Sequence, residues 1–186
     1  MDHSYISHIL LMEHAHAGPK SVVAQSLLGP DVRVLAGEVH ASVIGPNTNA
    51  HHQSLVIGVL WLLGRGNVGY GANVGSNHTG RLPDQETCSG EGIFWGLSCV
   101  AKFPIDLSYS PYSIVAAGTT VGPQRISMPF SLLVDVNSET EIIPVEQSVV
   151  AKKKFTSKQL KAQNTTIVVK TRFSPCGTVT LIVEVY

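Results

Sequence analysis

The sequence predicts an all-β solenoid, a parallel β-helix, from three observations. Helical periodicity is nearly absent before Lys152, and glycine and proline recur throughout, which favours short strands over helices. Between residues 44 and 78 an aliphatic or small residue recurs at every sixth position: Ile44, Ala50, Val56, Leu62, Val68 and Val74. The residue four places later is small at Thr48, Ser54, Gly66 and Ala72. A fixed short repeat of this kind is typical of stacked β-coils.

The repeat also predicts how the coils stack. Three six-residue sides are enough for one triangular coil, and each side pairs with the coil above at roughly 4.8 Å. Residues eighteen apart then lie directly over one another, so Asn49 falls beneath Asn67 and Val56 beneath Val74. Each coil buries its apolar row only against its neighbours, so stability accumulates along the stack.

The six-residue spacing extends beyond this stretch, with two interruptions. Val22, Leu28 and Val34 are six apart, but the step from Val34 to Ile44 is ten, which predicts an irregular corner. A glycine-rich, polar stretch over residues 76–98 lacks the six-residue spacing and predicts a loop that projects from the stack of coils. The spacing returns at Val115 and Val121. Glycines that follow inward residues are expected at corners with unusual dihedral angles, as at Gly45, Gly69 and Gly75.

The last quarter of the chain has a different character. We predict a β-helix over residues 1–135 and a C-terminal appendage over residues 136–186, where charged residues become frequent. Residues 152–163 favour a short exposed helix. Two alternating segments, TIVVKTRF and TVTLIVEVY, predict strands joined by the turn residues 174–177.

Composition limits the classes of function. The chain carries 13 basic and 13 acidic residues, so no general basic surface is expected to attract nucleic acid or an anionic membrane. The N-terminal segment lacks a basic n-region and has an apolar run only over residues 9–12, which predicts neither a signal peptide nor a membrane span and favours the cytoplasm. Scattered cysteines at Cys88, Cys99 and Cys176 are expected to be buried thiols rather than disulfide or zinc partners.

One apparent motif is set aside. Residues 64–69 read GRGNVG and match the dinucleotide fingerprint G-x-G-x-x-G. That fingerprint requires a strand before it and a helix after it. Here the glycines follow the six-residue period and the next residues, YGANVGSN, cannot form a helix. We therefore expect no dinucleotide site.

Two adjacent histidines, His51 and His52, lie within the most regular coils. Neighbouring side chains of a strand point to opposite faces, so at most one is expected to face a given cleft. An imidazole near neutral pKa is a natural general base for an attacking hydroxyl or amine. The segment SVIGPNTNAHHQSLVIG resembles the catalytic coil of hexapeptide-repeat acyltransferases, in which an alanine precedes the catalytic histidine by two places. On that pattern Ala50 matches the alanine and His52 the base.

This resemblance implies a left-handed parallel β-helix and a homotrimer. A wider likeness, over about residues 20–145, is to an uncharacterised bacterial β-helix family that shares the double histidine, the S-N-H segment at Ser76, Asn77 and His78, and a late P-F-S segment. Residues after EIIP do not follow that family's pattern, so the chain is either a short version of it or part of a larger product.

His78 stands where a corner should hold a small residue, which indicates a role other than packing. A second catalytic histidine is one interpretation, and a bond to backbone carbonyls is another. A third interpretation is a zinc site that resembles that of the γ-class carbonic anhydrases, in which histidines shared across a trimer interface hold the metal. The third histidine expected soon after His78 is missing, so we assign no metal site.

The predicted loop concentrates groups that bind sugars and phosphates. Arg81 is able to grip a phosphate or carboxylate, and the acidic side chains can accept bonds from sugar hydroxyls. The alternative is a solvated connector. The substrate-binding set predicted from sequence is His51, Asn49, Asn67, Asn73, Asn77, Arg81, Asp84, Glu86 and Glu91.

These observations favour an acyltransferase that moves an acyl group from a thioester such as acetyl-CoA to a sugar or sugar-nucleotide. His52 is the predicted base, and Asn49, Asn67 and Asn73 or backbone amides are predicted to polarise the thioester carbonyl. Acyl-CoA would be a co-substrate, and no permanently bound cofactor is expected. The alternative from another class is a non-catalytic scaffold or a regulatory module that binds a sugar-nucleotide.

Overall fold

A computed structural model describes residues 3–76, 86–136, 139–144, 167–173 and 179–185. Three parallel sheets form a β-solenoid of about seven turns, and the described part of the chain contains no helix. The prediction of a parallel β-helix is therefore confirmed. Since it contains no helix, this part of the chain also has none able to cross a membrane.

Each coil contributes one short strand to each sheet. The first sheet contains β1 (Tyr5–Ser7), β4 (Val22–Ala24), β7 (Glu38–His40), β10 (Leu55–Ile57), β13 (Asn73–Ser76), β16 (Val100–Lys102) and β19 (Thr120–Val121). The second contains β2 (Leu10–Leu11), β5 (Leu27–Leu28), β8 (Val43–Ile44), β11 (Val59–Trp61), β14 (Thr87–Ser89), β17 (Ile105–Leu107) and β20 (Gln124–Arg125). The third contains β3 (His16–Ala17), β6 (Arg33–Val34), β9 (Asn49–Ala50), β12 (Asn67–Val68), β15 (Phe94–Trp95), β18 (Ile114–Val115), β21 (Ser131–Val136) and β22 (Glu139–Pro144).

The stacking register follows the prediction. Asn67 pairs with Asn49, and Val56 pairs with Val74. The small residues predicted for the corners, Thr48, Ser54, Gly66 and Ala72, are all buried. The core runs along the solenoid axis and is built from the inward residues of all three sheets.

Two inward positions differ from the predicted period by one residue. Leu62 is 62% exposed, and Trp61 is fully buried in its place. Val22 is half-buried, and Val23 takes the inward position. The repeat expects a small residue four places after Val56, where Leu60 stands instead. Because the side between Val56 and Trp61 is shortened to five residues, Leu60 projects outward and is 39% exposed. The indole of Trp61 fills the core position that Leu62 would occupy if this side were six residues long.

The step of ten between Val34 and Ile44 has a similar origin. Val39 lies inward between them and is 1% exposed, so two successive sides are five residues long. Coils of slightly different length thus stack in one register, because each strand spans only two or three paired residues.

The stack of coils resumes earlier along the chain than predicted. β13 ends at Ser76 and β14 begins at Thr87, which pairs with Val59 of the previous coil. Residues 87–98, assigned to the loop from sequence, instead form a regular coil with Ile93 and Trp95 fully buried. The sequence pattern missed this coil because polar Thr87 and Ser89 occupy buried positions of its first strand.

Close packing, rather than an unusual dihedral angle, explains two of the three glycines singled out. Of Gly45, Gly69 and Gly75, only Gly75 has a positive φ, of 97°. A Cβ at Gly69 would lie 2.8 Å from the backbone nitrogen of Leu97, and one at Gly45 would collide with the backbone of the next coil. These glycines allow successive backbones to approach closely.

The C-terminal strands agree with the sequence pattern. β21 continues the third sheet, and β22 returns antiparallel to it. The two alternating segments form an antiparallel pair, β23 (Ile167–Phe173) and β24 (Val179–Val185). The predicted helix over 152–163 and Cys176 lie outside the described residues. The boundary at residue 135, the left hand of the solenoid and the cytoplasmic location stay predictions.

Burial of Cys99 predicts that stability falls at alkaline pH. Burial raises the pKa of this thiol from 9.0 to about 12, because the core does not solvate a thiolate. Above pH 9.0 the unfolded chain therefore holds fewer protons than the folded one, and the free energy of unfolding decreases by up to about 1.4 kcal/mol per pH unit. This contribution is complete below pH 9.0 and is lost as pH rises towards about 12. Urea unfolding across this range should show a shallower decline in Cys99→Ala than in the original protein, and equal slopes would contradict the assignment.

Candidate functional site

The double histidine lies at the corner between the third and first sheets, directly after β9. Backbone bonds hold this corner: the Gln53 nitrogen donates to the Ala36 carbonyl at 3.0 Å, and Gln53 itself adopts φ 58°. The Ser54 backbone nitrogen and hydroxyl both donate to the His51 carbonyl, at 3.1 and 2.5 Å. Two histidines are thus presented on a corner whose backbone has little freedom.

His51 is half-buried and has a fixed partner. Its Nε2 lies 3.0 Å from Oδ1 of Asn67, and its backbone nitrogen donates to the Val68 carbonyl at 3.0 Å. With Oδ1 as the acceptor, Nε2 carries the hydrogen and Nδ1 is left as an acceptor. The bond also occupies the Asn67 carbonyl, so the amide hydrogens of Asn67 are available to another acceptor.

His52 is exposed, and its contacts are with rings. Its ring centroid lies 6.1 Å from that of His51 and 5.7 Å from that of Tyr70, both in edge arrangements. The side chain is exposed, and no described residue forms a hydrogen bond with its ring. Two neighbouring rings therefore restrict this imidazole while its polar atoms stay open to a ligand.

The structure separates the three predicted asparagines. Asn49 and Asn67 pair in the third sheet and point to its outer face beside His51. Asn73 lies around the corner in the first sheet, between Leu55 and Val100. Its Oδ1 is buried and has no hydrogen-bond partner among the described residues. Only the first two asparagines lie on the third sheet, at the end of which the histidine corner begins.

The acidic residues of the predicted set lie away from this corner. Glu86 is exposed immediately before β14 of the second sheet, which is the face opposite the histidine corner. Glu91 lies between the second and third sheets, with its Oε1 3.4 Å from Nε of Arg65. A hydrogen bond with Glu91 raises the pKa of Tyr112. Asn77, His78, Arg81 and Asp84 lie outside the described residues.

Among the described residues, no three histidine, cysteine, aspartate or glutamate side chains are placed to hold a metal ion. The arrangement that resembles γ-class carbonic anhydrases depends on His78, which is not among them. Two imidazoles at the corner face each other edge-on, and neither gains a third ligand from the described coils.

Tyr70 is a site residue that the sequence analysis did not assign. It is 44% exposed, and its ring lies against His52. The signal was present in the repeat, because Tyr70 is eighteen residues after His52 and therefore occupies the same corner one coil later. The bond from the Gly71 nitrogen to the His52 carbonyl, 3.3 Å long, reflects this register.

Comparison with known proteins gives one relative of unassigned activity and no family. No protein-family model matches the chain. The chain is similar to an uncharacterized protein of Treponema pallidum (strain Nichols), with 28% identity over 109 residues. The match covers 58% of this chain and 15% of the relative, so the chain spans a small part of that protein's length.

Proposed function

We propose that the histidine corner transfers an acyl group from a thioester, of the acetyl-CoA type, to a hydroxyl or amine of a sugar or sugar-nucleotide. The observation that carries the proposal is the His52 imidazole, which is exposed, has no hydrogen-bond partner among the described residues and is confined between the rings of His51 and Tyr70. A general base needs this combination of accessible nitrogens and restricted orientation.

In the proposed reaction, His52 removes the proton of the attacking hydroxyl or amine. The acceptor oxygen or nitrogen forms a bond to the acyl carbon, and the carbon–sulfur bond of the thioester breaks. The leaving sulfur takes the proton from His52, which restores the base. The amide hydrogens of Asn67 and Asn49 would stabilise the charge that develops on the carbonyl oxygen. His51 would act as a positioning residue, since it holds the Asn67 carbonyl.

A trimer is part of this proposal. The outer face of the second sheet carries an aliphatic ladder through its first four strands, with Leu10 against Leu27, Leu27 against Val43 and Val43 against Leu60. Leu10 is 56% and Leu60 is 39% exposed. Packing of this ladder against the histidine corner of the next copy would stabilise an assembly and would exclude water from the reaction.

The second candidate is a non-catalytic module that binds a sugar-nucleotide. It is favoured by a contrast among the histidines of the described coils. His14 and His40 each have a glutamate within 3.4 Å, whereas neither corner histidine has a carboxylate beside it. An imidazole without an acidic partner lacks the usual group that stabilises its protonated form.

Calorimetric titration of the full chain with acetyl-CoA and with a panel of UDP-sugars tests the proposal, together with an assay of thiol release when both are present. We expect saturable binding of acetyl-CoA and thiol release that depends on the acceptor. Binding of a UDP-sugar without acetyl-CoA binding or thiol release would support the regulatory module. Binding of neither would refute both and leave a scaffold.

A further inference from the structure

A groove on the outer face of the second sheet lies on the side of the solenoid opposite the histidine corner. Its walls come from the last three strands of that sheet, β14, β17 and β20, and from the residues beside them. Its volume is about 410 Å³, within the range of small-ligand sites. The polar side chains that line it are Glu86, Asp106, Gln124 and Arg125, and Pro104 and Pro123 supply apolar surface.

The guanidinium of Arg125 has two contacts, although its side chain is 62% exposed. Its Nε lies 3.3 Å from Oδ2 of Asp106, and its Cζ lies 4.9 Å from the ring centroid of Tyr109. The other oxygen of Asp106 accepts a hydrogen bond from the Ser108 backbone nitrogen at 2.9 Å. Burial opposes ionisation of Asp106, but the bonds from Ser108 and the charge of Arg125 outweigh it and lower the pKa of this carboxyl. The pair is therefore ionised at neutral pH.

The charge balance of the groove selects the class of ligand. Among the described lining residues, Asp106 and Arg125 offset each other and Glu86 adds one negative charge, which disfavours a phosphate or carboxylate. Carboxylate and carboxamide oxygens accept bonds from hydroxyls, and the terminal nitrogens of Arg125 and the amide of Gln124 donate to hydroxyl oxygens. Pro104 and Pro123 offer apolar surface for the C–H face of a sugar ring.

From this arrangement we infer that the groove between Glu86, Asp106, Gln124 and Arg125 binds an uncharged or amine-bearing pyranose, a hexose or hexosamine unit without a phosphate. The inference does not depend on acyl transfer at His52. The two places lie on opposite sides of one copy, so one small molecule does not reach both. The groove is thus a separate carbohydrate subsite.

Cys88 provides a reporter inside the groove, because it lies on the outer face of β14 next to Asp106 in the register. We would measure the rate of N-ethylmaleimide alkylation of the Cys88 peptide in the full chain by mass spectrometry, at mildly alkaline pH. The probes are methyl glucoside, glucosamine and N-acetylglucosamine, with glucose 6-phosphate as the charged comparison. At half occupancy the rate should fall about twofold, and glucose 6-phosphate should protect less than the uncharged sugars.

Matched variants separate binding from indirect effects. Arg125→Ala and Gln124→Ala should lose the protection, and Arg33→Ala, an exposed arginine on the third sheet, should retain it. Thermal unfolding of each variant checks that the solenoid is intact, and Gln124→Ala decides the test if Arg125→Ala does not fold. The inference is overturned if no sugar slows alkylation at millimolar concentration. It is also overturned if a folded groove variant is protected as well as Arg33→Ala, or if glucose 6-phosphate protects best.

Discussion

Gly66→Ala should be among the most destabilising single substitutions in the solenoid. Gly66 lies beneath the indole of Trp61, and an added Cβ would overlap both the indole ring and the backbone carbonyl of Ile93. The indole has no room to move, because Trp61 is fully buried and its Nε1 donates to the Gly90 carbonyl at 2.7 Å. Overpacking of this kind costs about 3 kcal/mol when neither neighbour can shift. Urea unfolding followed by tryptophan fluorescence would measure the loss.

Gly122→Ala is the matched control for this substitution. Gly122 has a negative φ and nothing within 4 Å of an added Cβ, so alanine there should leave stability unchanged or raise it slightly. A second test is the double variant Trp61→Leu with Gly66→Ala. Trp61→Leu alone leaves a cavity, and the added methyl should then cost much less than it does beneath the indole. Equal stability of Gly66→Ala and Gly122→Ala would show that the indole does not pack on Gly66.

The same tryptophan shows how far the repeat could predict the fold. The six-residue spacing identified the parallel coils and the pairs Asn49 with Asn67 and Val56 with Val74, because stacked strands impose a fixed register. It could not distinguish a five-residue side from a six-residue side when both neighbouring residues are apolar. Leu62 fits the strict six-residue spacing and Trp61 stands one residue early, yet the structure buries Trp61 and exposes Leu62.

The candidate site was predictable to a different extent. The repeat placed the two histidines in a regular coil, but alternation along a strand does not describe them, because both lie in the corner after β9. There His51 is half-buried against Asn67 and His52 is exposed. The repeat gave no basis for grouping Glu86 with His52. A predicted loop has no fixed spacing, so the sequence does not tell which face of the solenoid its ends reach. The coil that resumes at Thr87 puts Glu86 on the second sheet, where it lines a different groove.

His52→Ala should abolish acyl transfer while the solenoid stays folded. The side chain is exposed and makes no hydrogen bond with a described residue, so its removal should change the free energy of unfolding by less than about 0.5 kcal/mol. Loss of a general base lowers the rate by about 10² to 10⁴-fold. Thiol release from acetyl-CoA in the presence of the acceptor identified by calorimetry would measure the change, and thermal unfolding would confirm the fold.

Two further variants distinguish a base from a residue that only shapes the corner. His16→Ala removes another exposed histidine of the third sheet, distant from Tyr70 in the stack, and should leave turnover unchanged. Asn67→Ala removes the hydrogen-bond partner of His51 and a proposed hydrogen-bond donor to the thioester carbonyl. It should therefore lower kcat without removing the pH dependence that a base imposes. In His52→Ala that pH dependence should disappear along with most of the rate. If His52→Ala keeps the original rate and pH profile, the imidazole is a surface residue and the regulatory module becomes the better explanation of this corner.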